Sequence, residues 1–315
     1  MDENEKHGKH VLCVGAAVLD TLFRVHDMPT GQGKVLPYEM LQIAEGMASS
    51  AAYTVHRMGG RASLWGAVGD DETGGRILRD LGESGIDTSG MTIAKGARSA
   101  LSTIIIDDKG ERLIVPFYDA KLHETKRSCT ANDLAPFDAV LVDVRWPDLA
   151  FDVLTMARSL GKYAILDGDV APVETLQRLA PAATHIIFSE PAADRLTGTK
   201  DVPSMLPILH ARYPQTFIAV TAGPAGCYWT EAGNPTVHFQ STMEVEAVDT
   251  LAAGDVFHGT FALAIAEGME SRAAIQLSSV AAALKCTVFG GRAGTPTRAE
   301  AEARLHHWLS AQQTS

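Results

Sequence analysis

The chain has 315 residues, of which 46% are apolar and 21% charged, with a formal net charge of −11. This is enough to build one large domain or two smaller ones, and no long stretch has the composition of a disordered segment. The acidic balance argues against general binding to nucleic acid or to an anionic membrane, while leaving room for a small basic pocket.

Met1–His10 is polar and lacks the apolar h-region of a leader. No apolar run reaches the roughly 18–20 residues of a membrane helix, so a cytoplasmic protein is expected. Cys13, Cys129, Cys227 and Cys286 lie far apart without a C-x-x-C, which reads as reduced thiols. The histidines form no H-E-x-x-H, and a metal role for His7 and His10 on the polar tail is not expected.

The first element is the apolar run Val11–Val18, which reads as one buried strand. Apolar residues at 48, 51, 52, 55 and 58 mark one face of a helix that Gly59-Gly60 stops. Ser63–Val68 reads as the next strand, followed by a helix opening near Asp70-Asp71 and ending about Gly82. Strand Ala139–Val144 then precedes a helix with Pro147 in its first turn and Gly161 past its end. Strands Tyr163–Asp167, His185–Phe188 and Phe217–Val220 and a helix Gly254–Ala266 continue the alternation. Such alternation predicts an α/β fold with a mostly parallel sheet covered by helices on both faces.

Two stretches interrupt it. Thr21–Ile43 is extended and turn-rich, and Ser102–Val115 reads as a β-hairpin around Asp107-Asp108-Lys109-Gly110. Their strands do not fit the main sheet and are expected to form a small separate sheet, either as plain surface hairpins or as a lid.

The run Val248-Asp249-Thr250-Leu251-Ala252-Ala253-Gly254-Asp255 leads into the helix at 256–266. Small residues at 252–254 allow close backbone approach, and the helix start presents unpaired N–H groups and a positive dipole end, together an anion hole. Asp255 stands at its edge, where a carboxylate can accept a proton from an attacking hydroxyl. A plain helix start with an acidic residue in its first turn is the bland alternative.

That run resembles the D-T-x-A-A-G-D-x-F signature of the ribokinase (PfkB) carbohydrate kinases, and the resemblance extends over nearly the whole chain. Gly15-Ala16-Ala17-Val18-Leu19-Asp20 is similar to the family's first strand with its sugar-binding Asp. Trp65–Gly74 resembles the G-x-V-G-x-D-x-x-G segment, Thr221–Gly226 the T-x-G-x-x-G nucleotide loop, and Ser279–Thr287 the stretch that packs the adenine ring. The resemblance implies a ribokinase-like three-layer α/β/α core with a small β-sheet lid, the core from 1–20, 44–101 and 117–315 and the lid from 21–43 and 102–116. It also implies ATP with Mg²⁺, in many members a monovalent cation such as K⁺ near the Asp249 loop, and a homodimer made through the lids.

Site residues carried over from the resemblance are Asp255 as base, with the amides of Ala252, Ala253 and Gly254 on the phosphoryl oxygens. Asp20 and Gly46 fall at the sugar. Thr221, Gly223, Gly226, Ser279 and Ala283 fall at ATP, and Glu190 and Asp249 at metal. Two departures stand out. The first Gly-Gly signature reads Ala44-Glu45-Gly46, so a charge sits near the hinge between lid and core; either the hinge is stiffer or Glu45 points to solvent. The N-x-x-E that organises Mg²⁺-bound water reads Ser189-Glu190-Pro191-Ala192, leaving Glu190 or Asp194 for the role.

A narrower resemblance is to the 6-deoxy-6-sulfofructose kinases. It rests on Val142-Asp143-Val144-Arg145-Trp146, Leu166-Asp167-Gly168-Asp169, Phe188-Ser189-Glu190-Pro191, Asp255-Val256-Phe257-His258-Gly259, Ala283–Thr287 and Gly290–Gly294. It implies that Lys34 and Arg145 clamp an anionic terminus of the sugar. Pro116 departs from it, because it stands where that group has a lid Asn and proline donates no hydrogen bond. A kinase for a neutral ketose, a sugar acid or a nucleoside is the alternative, and a catalytically weak sugar- or nucleotide-binding protein a further one. A nicotinamide dehydrogenase is set aside, since no G-x-G-x-x-G follows the first strand.

Overall fold

A computed structural model of the chain describes residues 8–124 and 126–313, so His7 and most of the polar N-terminal stretch lie outside the described residues. The chain opens with β1 (His10–Val14), β2 (Val18–Arg24), β3 (Glu39–Glu45), α1 (Met47–Arg57), β4 (Arg61–Trp65), β5 (Ala67–Gly69) and α2 (Glu72–Glu83). Next come β6 (Thr92–Ala94), β7 (Leu101–Ile106), β8 (Arg112–Phe117) and the short α3 (Ala131–Leu134). The middle alternates β9 (Ala139–Val142), α4 (Pro147–Ser159), β10 (Tyr163–Gly168), α5 (Val173–Leu179), β11 (His185–Ser189), α6 (Glu190–Thr197), α7 (Val202–Arg212) and β12 (Phe217–Thr221). A hairpin of β13 (Cys227–Glu231) and β14 (Asn234–Gln240) precedes α8 (Ala253–Ala266), α9 (Ser271–Cys286) and α10 (Arg298–Gln313).

The main sheet has eight strands in the order β14-β13-β12-β11-β10-β9-β1-β4. It is parallel from β4 to β12 and antiparallel at β13 and β14. Side chains alternate across it. Leu12, Val14, Val140, Val142, Leu166 and Ile186 pack with residues of α4 to α7 such as Leu149, Val153, Leu176 and Leu206. Val11, Cys13, Leu141 and Ile165 pack on the other face with Ala51 and Val55 of α1, Val256 and Leu263 of α8, and Leu277 of α9. With both faces covered, the strands read as unbroken apolar runs rather than alternating ones. The fold is the three-layer α/β/α arrangement expected.

Two strands expected as single units are each split at a glycine. Val11–Val18 breaks at Gly15, whose φ of +146° is open only to glycine and whose added Cβ would fall 2.1 Å from the Asp143 carboxylate. The chain leaves the main sheet there and enters the small one. Ser63–Val68 breaks at Gly66, where a Cβ would lie 2.7 Å from the Gly15 carbonyl oxygen, and β5 pairs with β6 instead.

The small sheet has the order β3-β2-β7-β8. Its inner face carries Leu22, Ile104 and Ile106, packed with Leu41, Ile43, Leu251 and Phe289. The hairpin turn closes with the Gly110 amide donating to the Asp107 carbonyl at 3.0 Å, while the Asp107 carboxylate accepts from the amides of Lys109 and Glu111. Helix α8 is buried from Val256 to Ala266. Gly259 lets it cross α1 closely, since a Cβ there would sit 2.5 Å from the Ala51 carbonyl oxygen.

Candidate active site

The parallel strands deliver several polar residues to one edge of the main sheet. Gly15 follows β1, Asp143 follows β9, Asp169 follows β10 and Glu190 follows β11. Strand order reverses between β1 and β9, because the chain runs outward to β4 on one side and to β9 and beyond on the other. A crevice at such a reversal, at the carboxyl ends of the strands, is where open α/β sheets bind ligands. Asp143 bridges this point: its carboxylate accepts from the amides of Ala16 at 2.8 Å, Ala48 at 3.2 Å and Arg145 at 2.7 Å.

Across from it lies the mouth of α8. Ala252, the helix N-cap, has φ 61° and ψ 6°, and among the described residues it alone of the non-glycines has positive φ. The left-handed conformation costs an alanine about 1–2 kcal/mol, and such strain persists where the surroundings impose it. No side chain caps the helix. The Ala253 amide turns back to the Thr250 carbonyl at 3.3 Å, and Val256 makes the first regular helical bond, to Ala252 at 2.9 Å. Among the described residues no acceptor faces the amides of Ala252, Gly254 and Asp255. The open donors therefore include Ala252 and Gly254 of the expected three; the Ala253 amide is partly engaged, and Asp255 adds its own.

Asp255 is half-buried at the same mouth. Burial pushes its carboxyl well above the usual carboxylate range, and Asp167, Glu45, Asp169 and Asp143 push it further. A carboxylate so placed holds a proton more tightly, which makes it a stronger base once ionised. Asp167, nearly enclosed, is likewise raised by burial and by Asp169 and Asp143. It lies 3.3 Å from His258 Nε2. His258 donates from Nδ1 to the Gly254 carbonyl at 2.7 Å, so the imidazole is anchored to the turn that holds the open amides.

The predicted sugar residues fall on β2, at the cap of α1, just after β9 and on the connection between β2 and β3. Asp20, on β2, is 7% exposed. It accepts from the Ser102 hydroxyl at 2.6 Å, and burial pushes its carboxyl up to about 6. Gly46 caps α1 with φ 112°, and a Cβ there would meet the Ala16 carbonyl at 2.6 Å. Arg145 is half-exposed, its guanidinium 3.5 Å from Asp169 and 3.3 Å from the Val170 carbonyl. Lys34 is exposed on the connection between β2 and β3. Glu45 does not point to solvent: it is 2% exposed and accepts from the Arg292 amide at 2.6 Å and from the Ser50 hydroxyl. Burial, then the charge of Asp20, push Glu45 up to about 7.

The sequence profile of the pfkB family carbohydrate kinases matches residues 9–298. The chain belongs to this family. It is 29% identical over 301 residues to the ribokinase of Bacillus subtilis (strain 168), covering 94% of this chain and 99% of that one. It is 28% identical over 296 residues to a fructokinase of Klebsiella pneumoniae, covering 87% and 90%. Among solved structures, an Agrobacterium tumefaciens protein provisionally named a ribokinase is 82% identical, with a TM-score of 0.96 over 96% of this chain and 99% of that one. Arabidopsis thaliana ribokinase, solved with ribose and ATP, shares the fold at 20% identity, with a TM-score of 0.80 over 95% and 99%. The pfkB kinase described here is thus an ATP-dependent sugar kinase of the ribokinase and fructokinase kind.

In this kinase the predicted nucleotide residues fall at the end of β12, on the turn that follows it and on α9. Thr221 ends β12, with its hydroxyl 3.4 Å from the Phe188 carbonyl. Gly223 and Gly226 have φ +52° and +116°, and a Cβ on Gly226 would meet the Gln240 carbonyl at 2.2 Å. Ser279 and Ala283, one turn apart on α9, are 5% and 7% exposed.

The two predicted metal residues differ sharply. Glu190, half-buried at the first turn of α6, makes no ion pair among the described residues. Asp249 is fully buried. Its carboxylate accepts from the amides of Leu251, Gly290 and Gly291 at 2.8, 3.0 and 2.9 Å and lies 3.0 Å from the Lys285 ammonium. Among the described residues no three His, Cys, Asp or Glu side chains converge on a metal position. No described helix is long and apolar enough to cross a membrane.

Asp143, Asp167, Asp169, His258 and Lys285 are site neighbours that were quoted in the sequence motifs but given no role. Each acidic one directly ends or follows an apolar strand, and that position is the signal that marks it. Lys285 carries no such signal, because a lysine in the last turn of a helix reads as a solvated charge.

Proposed function

We propose that the kinase transfers the γ-phosphoryl group of ATP to a hydroxyl of a small sugar, with Asp255 as base. The hydroxyl oxygen forms a bond to the γ-phosphorus, the bond to the β–γ bridging oxygen breaks, ADP leaves, and the hydroxyl proton passes to Asp255. The carrying observation is the joint placement of that carboxylate and the open amides of Ala252, Gly254 and Asp255 at the mouth of α8. Those amides, with a weaker contribution from Ala253, stabilise charge on the phosphoryl oxygens. Thr221, Gly223 and Gly226 line the phosphates and ribose, and Ser279 and Ala283 border the adenine. Mg²⁺ would come with the nucleotide, held by phosphates and water with Glu190 as its outer carboxylate, and would neutralise phosphate charge. Asp249 does not fit that role, since its oxygens are already engaged.

On the sugar side, Asp20 accepts from hydroxyls and the Gly46 turn admits the ring. The finer reading is a ketose with an anionic terminus, such as 6-deoxy-6-sulfofructose, held by Arg145 and by Lys34 once the connection carrying it folds over the crevice. Supporting it are the sulfofructose-kinase-like segments and a half-exposed guanidinium at the end of β9. A neutral ribose or fructose is the second reading, favoured by the names of the relatives and by Pro116 on β8. A coupled ADP-release assay over sulfofructose, fructose 6-phosphate, fructose, ribose and nucleosides separates them. Arg145→Ala and Lys34→Ala should raise KM for an anionic sugar by about tenfold or more and leave fructose unchanged. Equal effects on both sugars remove the clamp.

The small sheet is read as a lid. Its hairpin already touches the phosphate side, where Arg112 donates to the Thr250 hydroxyl at 3.0 Å. Its outer face carries Met40, Leu101, Leu113 and Val115, each at least 42% exposed. A homodimer formed through these lid faces would cover them.

A further inference from the structure

Lys285 and Asp249 form a fully enclosed pair beneath the loop that carries the open amides. Both side chains are essentially unexposed, at 0% and 1%. The ammonium donates to the Asp249 carbonyl oxygen at 2.6 Å and lies 3.0 Å from its Oδ2. The remaining carboxylate contacts are amides: Leu251 on Oδ1, and Gly290 and Gly291 on Oδ2. The amides of Val248 and Asp249 both donate to the Cys286 carbonyl, at 2.8 and 3.1 Å. One positive charge thus ties the end of α9, the turn at 290–291 and the chain entering the α8 mouth into a single knot.

A dissolved monovalent cation near this loop would need the same carbonyl and carboxylate oxygens. They do not fit one here, because a covalently attached ammonium holds them and three amides satisfy the rest. We infer that Lys285 is a built-in cation that orders residues 249–255, so that this kinase works without K⁺ or any other monovalent ion. Lys285 is a positioning residue: it reaches the reacting groups only through the backbone of the loop. The inference rests on the reading of that loop as the phosphoryl-binding element, but its stability arm does not.

The test compares K⁺, Na⁺ and Cs⁺ chlorides with tetramethylammonium chloride at constant ionic strength. It reads melting temperature and, on whichever sugar of the panel is turned over, kcat. For the wild type both readouts should be the same in every salt. Lys285→Met vacates the ammonium position and leaves Asp249 unpaired. Its kcat in tetramethylammonium should fall about tenfold or more, with K⁺ raising both its melting temperature and its rate. Lys285→Gln, which keeps a donor toward the Asp249 carbonyl without the charge, serves if the methionine variant does not fold, and should show the same K⁺ response. A wild type that K⁺ activates several-fold or stabilises overturns the inference, as does a folded Lys285 variant with unchanged kcat and no response to K⁺. If no sugar is phosphorylated, the activity arm reports on the proposed function, and the melting arm still decides the role of Lys285.

Discussion

His258 Nε2 lies 3.3 Å from Asp167 Oδ1, and both side chains are almost wholly enclosed. Both ring nitrogens face oxygen acceptors, Gly254 and Ile187 carbonyls and this carboxyl. An imidazole with one proton cannot satisfy them all. Burial lowers His258 and raises Asp167 well above its usual range, and both directions favour an uncharged ring that accepts a hydrogen bond from a protonated Asp167. Asp167→Asn preserves that donor and should change stability by less than about 1 kcal/mol at neutral pH. His258→Phe strands the Asp167 donor and frees the Gly254 turn, and should cost about 2 kcal/mol or more. Urea unfolding of the two variants checks the contrast; a large loss in Asp167→Asn would mean the acid is ionised.

Asp255→Asn should lower kcat by about 10²–10⁴-fold, the usual contribution of a positioned base, with ATP affinity within about threefold of wild type. Isothermal titration with ATP and steady-state kinetics read the two halves. In the wild type, kcat/KM should rise with pH along a limb that lies above the ordinary carboxylate range, because Asp255 is raised first by burial and then by the acidic groups around it. A limb at the ordinary value would show that the crevice does not bury the base.

Glu45 gives a stability effect with a definite sign. Its folded value is raised from 4.5 to about 7, so the folded state holds a proton that the unfolded state has released. Stability is therefore full below about pH 4.5 and falls as pH rises through about 7, by on the order of 3 kcal/mol. Asp20, raised from 3.8 to about 6, adds a drop of the same sign over a lower window. Glu45→Gln keeps the bonds to Arg292 and Ser50 without a charge. It should flatten the fall between pH 5 and 8, measured by chemical denaturation across that range, and a curve unchanged by the substitution would contradict the assignment.

Ala252 holds the left-handed position with a Cβ that strains it. Ala252→Gly should retain activity and gain up to about 1 kcal/mol, since relief of strain is partly offset by a more flexible unfolded chain. Ala252→Val adds a β-branch where φ is 61°, and should cost about 2 kcal/mol or more and depress kcat as the open amides are misdirected. Thermal melts and kinetics of the pair separate a backbone requirement from a side-chain one.

Arg292 is 2% exposed and joins the Ala44 carbonyl, Ser84 and Asp80, with its guanidinium 4.5 Å from the centre of the Tyr53 ring. Arg292→Met leaves Asp80 and the end of β3 without their partner and should cost about 3–5 kcal/mol. The measured loss should far exceed that of Arg178→Met, whose pair with Asp148 lies on the surface.

Much of this architecture could be read from the residues. Alternating apolar runs and helix periods gave the layered α/β core, and Pro147 and Gly161 bounded α4 within a residue. The motif at 248–255 fell at a helix mouth as its small residues required. What periodicity could not reveal was where one apolar run serves two sheets. At Gly15 and Gly66 the break depends on close contacts with Asp143 and with each other's backbone, which lie far off in sequence. Nor could it tell which charges turn inward. Glu45 and Lys285 look like surface residues in the chain, and their burial follows from partners at Arg292 and Asp249 that only the fold brings near.

Strand β8 ends the small sheet, pairing with β7 alone and placing Pro116 opposite Ser102. Since proline has no amide to give Ser102, its nitrogen faces outward, where the open edge would otherwise offer a donor. A foreign strand laid along that edge meets a missing rung. The margin is thereby guarded against run-on addition of strands from chain to chain.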